Sequence, residues 1–296
     1  MRSLHSVPGH DEVQVVTVPD PVPAAGQVLV ELIAAAVQPI DPFFASEAGR
    51  QAFGATGEVG LGWDLAGRVV ATGEDVTAVR VGDLVAALDD QLFATDRTQA
   101  DLVVVDVDAL AAIPEGLDPV AAATVPLNAL TAAQALDLLG EPRGRSLLVT
   151  GAGGAVGGYA AALASAAGWQ VTGLGRERDE QFIRSTGAAF TTRLDPAAYD
   201  AVLDPASIGD PAVASVVDGG TYVGVQSTAV PESRRGISTT SVLVHRDADR
   251  LAELLARSAS GELEVRVAGT FPLAEAATAY AKVAAGGQRG RWLLVP

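Results

Sequence analysis

The chain has 296 residues, with 36 Asp and Glu against 20 Lys and Arg, a net charge of -16, no Cys, and 49% hydrophobic residues. Without Cys there is no disulfide framework, no zinc finger and no thiol nucleophile. The acidic balance argues against nucleic acid or an anionic membrane as partner, because both need clustered Lys and Arg.

The first third reads as short strands with Gly and Pro punctuation. Residues 13–18 alternate, and Pro19, Pro21 and Pro23 then interrupt them. Stretches 27–36, 66–71 and 101–107 are rich in β-branched residues, and 79–88 holds the turn Val81-Gly82-Asp83. This pattern predicts a compact β-barrel or sandwich. Past Pro114, residues 118–139 have apolar residues at helical spacing, with Pro119 near the start where proline is tolerated. Strands and helices then alternate: strand 146–150, helix to 167, strand 169–174, helix 179–185, strands 199–203 and 221–225. That alternation predicts βαβ units and a parallel sheet. Helices 247–258 and 273–285 and a strand 291–295 close the chain. No apolar run approaches the roughly 20 residues that cross a bilayer, and the first 16 residues lack a signal-peptide core. The expected compartment is the cytoplasm.

The sharpest motif is Leu147-Leu148-Val149-Thr150-Gly151-Ala152-Gly153-Gly154-Ala155-Val156-Gly157, between a predicted strand and a predicted helix. Glycines there allow a tight turn and a close approach of backbone to phosphate, and the helix start offers free N–H groups to a pyrophosphate. A glycine turn without ligand is the alternative. At the end of the next strand stands Leu174-Gly175-Arg176 rather than an acid. Small residues leave room for a 2′-phosphate and Arg176 can pair with it, so NADPH is favoured over NADH. Glu177 and Asp179 lie further along and weigh the other way.

These residues resemble the zinc-independent medium-chain dehydrogenase/reductase family, and within it the quinone oxidoreductases. Similar segments run in order along nearly the whole chain: 34–41 with Gln38-Pro39-Ile40-Asp41, Leu61-Gly62-Trp63-Asp64-Leu65-Ala66-Gly67, Val81-Gly82-Asp83, Pro126-Leu127-Asn128-Ala129-Leu130-Thr131-Ala132, the turn 151–157, Asp204, Gly219-Gly220, and Arg289-Gly290-Arg291. The resemblance implies an α/β protein in which a Rossmann doubly wound parallel sheet is joined to a GroES-like β-barrel. Its expected domains are a GroES-like catalytic part over 1–117, a cofactor part over 118–261, and the barrel's return over 262–296. The nicotinamide is expected in the cleft between them. Cofactor contacts are expected from Asn128, Thr131, Gly151, Gly153, Gly154, Ala155, Val156 and Arg176, and assembly as a homodimer through an edge strand near 238–245.

Zinc-using relatives carry metal ligands where this chain has Gln38, Trp63 and Leu127, so no metal is expected. The activity implied is then hydride transfer to an acceptor needing little electrophilic help, a quinone or an activated enone. Catalytic candidates are Gln38, Asp41 and Asp64; both carboxylates also suit structural turns. Phe43, Phe44 and Trp63 are read as an acceptor wall or as ordinary core. No proton-donating Tyr is visible near Asp41, and the stretch 91–100 departs from the family's Gly-aromatic-Ala pattern. Two other readings stay open: a specialised enoyl reductase of a biosynthetic pathway, and a non-catalytic NADPH-binding relative.

Overall fold

The computed structural model describes every residue except 11, 92, 93, 95 and 96. The chain opens with β1 (Arg2–Ser6), β2 (Gln14–Thr17) and β3 (Gln27–Val37), followed by the short helices α1 (Ile40–Ala45) and α2 (Glu47–Phe53). Then come β4 (Val59–Gly60), β5 (Asp64–Thr72), β6 (Leu84–Leu88), β7 (Leu102–Asp106), β8 (Leu110–Ala112), α3 (Pro119–Ala122) and α4 (Pro126–Leu139). The βα alternation that follows is β9 (Ser146–Val149), α5 (Ala155–Ala167), β10 (Gln170–Leu174), α6 (Glu180–Ser185), β11 (Ala189–Thr191), β12 (Tyr199–Asp204), α7 (Asp210–Ala214), β13 (Val216–Gly224) and β14 (Ser238–Ser241). The chain closes with α8 (Ala248–Ala259), β15 (Val267–Pro272), α9 (Ala276–Ala285) and β16 (Arg291–Val295).

The chain divides into two compact units, one of Met1–Leu127 with His245–Pro296 and one of Asn128–Val244. In the first, one sheet runs β15-β16-β3-β5-β6-β8 with β7 also paired to β3, and a smaller sheet runs β2-β1-β4. Alternate residues of β3 point inward, so Val28, Val30 and Leu32 pack with Leu65, Val69, Val85, Val103 and Val105. The expected divisions at 117 and 261 fall instead at 127 and 244. The physical reason for the second shift is Arg246. Its guanidinium bonds Asp90 at 3.0 Å, Asp108 at 3.2 Å and Asp106, which fastens the returning chain to the β-rich unit before α8 begins.

In the second unit all six strands are parallel, in the order β11-β10-β9-β12-β13-β14. Numbered within the unit this is 3-2-1-4-5-6, the doubly wound arrangement, with its switch point between β9 and β12. The strands are short and apolar because both sheet faces are covered; Leu148, Val202, Val213, Tyr222 and Ile237 form one such layer. The single helix expected over 118–139 is two, α3 and α4. Pro126 has no N–H to donate and its ring excludes the helical conformation at the preceding residue, so the first helix ends and a second starts on the proline. Among the described residues no helix is long and apolar enough to cross a membrane.

Candidate active site

Two groups of candidate residues emerge, one in each unit. In the second unit, Thr150 ends β9 and the chain turns at Gly151, whose φ of +55° is a left-handed conformation. A side chain at Gly157, in the first turn of α5, would overlap the Gly151 carbonyl, so the turn closes only with hydrogen at that position. Gly154 caps α5 without any side-chain cap, which leaves its first N–H groups for an external acceptor. Gly153, Ala155 and Val156 complete this turn. It stands at the carboxyl end of β9, beside the switch point, where ligands of doubly wound sheets bind.

The turn is braced by residues that sequence reading had not joined. Asp204, the last residue of β12, is fully buried and accepts the Thr150 hydroxyl, the Tyr222 hydroxyl at 2.8 Å and the Gly209 N–H at 2.8 Å. Thr150 Oγ1 in turn accepts from Ala206 N at 3.2 Å. Burial and the Asp204 carboxylate hold the Tyr222 phenol far above its ordinary pKa, so it serves here as a donor. A cavity of about 420 Å³ opens beside Gly209, walled by Asp210 and residues 229–234 on loops that leave the carboxyl ends of β12 and β13.

Arg176 lies two residues beyond β10 and is exposed. Asp179 does not stay out along the chain as expected. It is 8% exposed and packs on the glycine turn, with its Cγ 2.6 Å from where a Cβ on Gly153 would stand. Asn128 and Thr131 are buried on α4.

In the first unit, the antiparallel ladder that sets Ala35 opposite Leu65 brings the end of β3 and the start of β5 together. Gln38 and Asp64 therefore meet, and Gln38 Nε2 donates to the two Asp64 oxygens at 3.0 and 3.3 Å. The Gln38 backbone N–H donates to Asp41 Oδ2 at 2.6 Å, the tie of an acid in the first turn of a helix. Leu127 N donates to Asp64 Oδ2 at 3.2 Å. Both carboxyls are fully buried. Burial pushes each up to about 7, against the opposing pull of Gln38 on both, of Arg97 on Asp41 and of the Leu127 N–H on Asp64.

Tyr280, distant from Asp41 in the sequence, comes to this site through the fold. Its hydroxyl, buried on α9, donates to Gln99 Oε1 at 2.7 Å, while Gln99 Nε2 donates to Asp41 Oδ2 at 3.4 Å and to the Ala36 carbonyl at 3.2 Å. Burial raises the Tyr280 pKa well above the ordinary value. The link runs 181 residues along the chain, so no local pattern marks it. Phe44 is buried edge-on against Phe53 at 5.1 Å and Trp63 at 6.2 Å, which makes it core, whereas Phe43 is 46% exposed and Trp63 half-buried. Within 91–100, residues 92, 93, 95 and 96 lie outside the described residues; Arg97, Thr98 and Gln99 are buried. Among the described residues no group of three or more His, Cys, Asp or Glu is placed to hold a metal ion.

Comparison with known proteins gives two family matches. A model described as an alcohol dehydrogenase GroES-like domain matches residues 24–115, and one described as a zinc-binding dehydrogenase matches 179–294. The chain is 27% identical over 288 residues to the chloroplastic NADPH-dependent alkenal/one oxidoreductase of Arabidopsis thaliana, covering 91% of this chain and 72% of that protein. It is 36% identical over 141 residues to the enoyl reductase component of the lovastatin nonaketide synthase of Aspergillus terreus, covering 46% of this chain and 37% of that one. In three further curated relatives the aligned part spans only 52% to 58% of the relative's length. Its fold is that of the quinone oxidoreductase from Coxiella burnetii, with a TM-score of 0.89 at 24% identity over 100% of this chain and 99% of that chain.

Proposed function

Because this chain belongs to the medium-chain dehydrogenase/reductase family, we propose that it is an NADPH-dependent, zinc-independent reductase of a quinone or an activated enone. The glycine turn at the switch point carries the reading. Its uncapped helix start and the hydrogen required at Gly157 fit a pyrophosphate lying on backbone. A nicotinamide held there supplies a hydride. Gly151, Gly153, Gly154, Ala155 and Val156 take the pyrophosphate, Asn128 and Thr131 the nicotinamide half, and Arg176 the 2′-phosphate. Thr150 and Asp204 fix the turn so that its amides are aimed before the ligand arrives.

Gln38, Asp41 and Asp64 are the polar centre of the acceptor side. With both carboxyls near 7, a proton is held there at neutral pH. A buried neutral acid can release it to an oxygen made basic by reduction. Phe43 and Trp63 form the acceptor wall, with Phe44 behind them. The protein works as a homodimer paired through β14, the edge strand of the parallel sheet.

The test is a titration of NADPH and NADH by nicotinamide fluorescence. NADPH is expected to bind about tenfold tighter, the scale of one charge-assisted phosphate contact, and Arg176→Ala is expected to abolish the preference. Equal affinities would remove Arg176 from the site, and no binding of either would remove the reductase. A second reading, an enoyl reductase of a biosynthetic pathway, is favoured by the 36% identity over 141 residues to a synthase enoyl reductase. Turnover of crotonyl thioesters without turnover of quinones would select it.

A further inference from the structure

Charged residues run from Arg176 to Glu180 just beyond β10. Arg176, Glu177 and Arg178 are exposed, and Glu180 is half-buried and pairs with Arg184 at 2.8 Å. Asp179 alone turns inward and is 8% exposed. The core fixes its place. Asp179 stands one helical turn before Ile183 of α6, so the two share a face. Ile183 is fully buried. It comes up against β10 because Gly173 and Gly175 lack side chains; a Cβ at either position would overlap one of its methyl carbons.

The Asp179 carboxyl is thereby carried to the glycine turn. Its Cγ lies 2.6 Å, and its Oδ2 2.7 Å, from where a Cβ on Gly153 would stand. It makes no capping bond to its own helix. Asp179 therefore accounts for the missing side chain at Gly153 without any ligand. The same turn leads into α5, whose uncapped first N–H groups favour an anion. A carboxylate beside that turn supplies negative charge before a ligand arrives. Its burial keeps water from screening the charge well. A dinucleotide brings the negative charges of its pyrophosphate to the same turn, and like charges at short range repel.

We propose that Asp179 is a built-in competitor of the cofactor's pyrophosphate, a buried carboxylate that lowers the affinity of the glycine turn for any dinucleotide. The proposal rests on the reading of that turn as a nicotinamide cofactor site, and it adds a regulation of that site. A reductase exchanges spent cofactor for fresh at every turnover, and a hold loosened in this way speeds the release.

The test compares the full chain with Asp179→Asn, which keeps the shape of the side chain and removes its charge. NADPH and NADH are titrated by nicotinamide fluorescence, and ADP-ribose by calorimetry. All three carry the pyrophosphate, so each is expected to bind the variant about fivefold tighter or more, the scale of one weakly screened like charge. A carboxylate that only braced the turn would leave the variant binding all three more weakly. One that read the ribose hydroxyls would leave it binding NADH and ADP-ribose more weakly and NADPH no worse. Either result, or unchanged affinities, would overturn the proposal. Should Asp179→Asn not fold, Asp179→Ser removes the same charge and is put to the same comparison. Native binding that the variant does not tighten defeats this proposal alone, whereas binding of no dinucleotide by either protein defeats the reductase reading with it.

Discussion

At the residue scale, the paired carboxyls give the most direct pH signature. Asp41 and Asp64 sit near 7 in the folded protein, against an ordinary 3.8. A raised folded pKa contributes stability that is complete below the unfolded value and is lost as pH rises through the folded one. The pair should therefore destabilise the protein between pH 4 and 7, by an amount on the order of a few kcal/mol. The groups facing it are Gln38, Gln99, Trp63, Tyr280, Arg97, Arg291 and the Leu127 N–H. Urea unfolding of Asp64→Asn should show a flatter pH slope than the native chain and a gain in stability at pH 8.5; an unchanged slope would show that the pair is ionised throughout. Gly157→Ala tests the turn. Its methyl would meet backbone, which has no flexible end to move aside. The expected outcome is a loss of NADPH affinity of about tenfold or more, with melting of the parallel-sheet unit lowered, read by fluorescence titration and calorimetry.

At the element scale, the return of the chain to the β-rich unit hangs on one side chain. Arg246 meets Asp90, Asp106 and Asp108 while only 25% exposed. Burial works against the Asp106 carboxylate, but hydrogen bonds from Gln27 and Arg246 prevail and hold it below its ordinary value. Arg246→Met leaves three acids without their common cation, at a cost of about 1–3 kcal/mol once partial exposure is allowed for. Thermal denaturation should show it as a fall of several degrees, greatest at neutral pH and shrinking below about pH 4 as the acids protonate. A melting point unchanged at neutral pH would mean that the return is held by α8 and β16 alone. The helices α1 and α2 show why elements of this size escape sequence reading. At six and seven residues they are too short for an apolar period to declare itself, and Ser46 separates them by ending one and capping the other.

At the scale of the whole molecule, β14 is the outer strand of the parallel sheet. It is bordered by Leu243, an apolar side chain left 83% exposed. Pairing of two such edges across a two-fold axis predicts a species of twice the 30.0 kDa chain mass at micromolar concentration. Mass measurement by light scattering checks it. The Val242 N–H bonds Gly224 within the sheet, so the alternate N–H of Thr239 faces the open edge; Thr239→Pro removes that outward donor and is expected to shift the species to the single-chain mass. A native chain that is already monomeric would end the idea.

Local chemistry determined much of this protein. The glycine turn and the alternation of short apolar strands with helices mark a doubly wound sheet, and the short punctuated strands a β-rich unit, because each depends on residues within about ten positions of one another. Gln38, Asp41 and Asp64 were visible as residue types. Their joint burial was not, since it arises from β3 and β5 pairing antiparallel. Tyr280, Arg97 and Asp204 were decided by tertiary structure alone. A hydroxyl 181 residues from its acceptor, a guanidinium on an indole 34 positions away in the sequence, and a carboxylate bonded to a threonine 54 residues earlier carry no periodicity. Only when the sheets close does burial remove water from these groups and leave the protein itself to supply their partners.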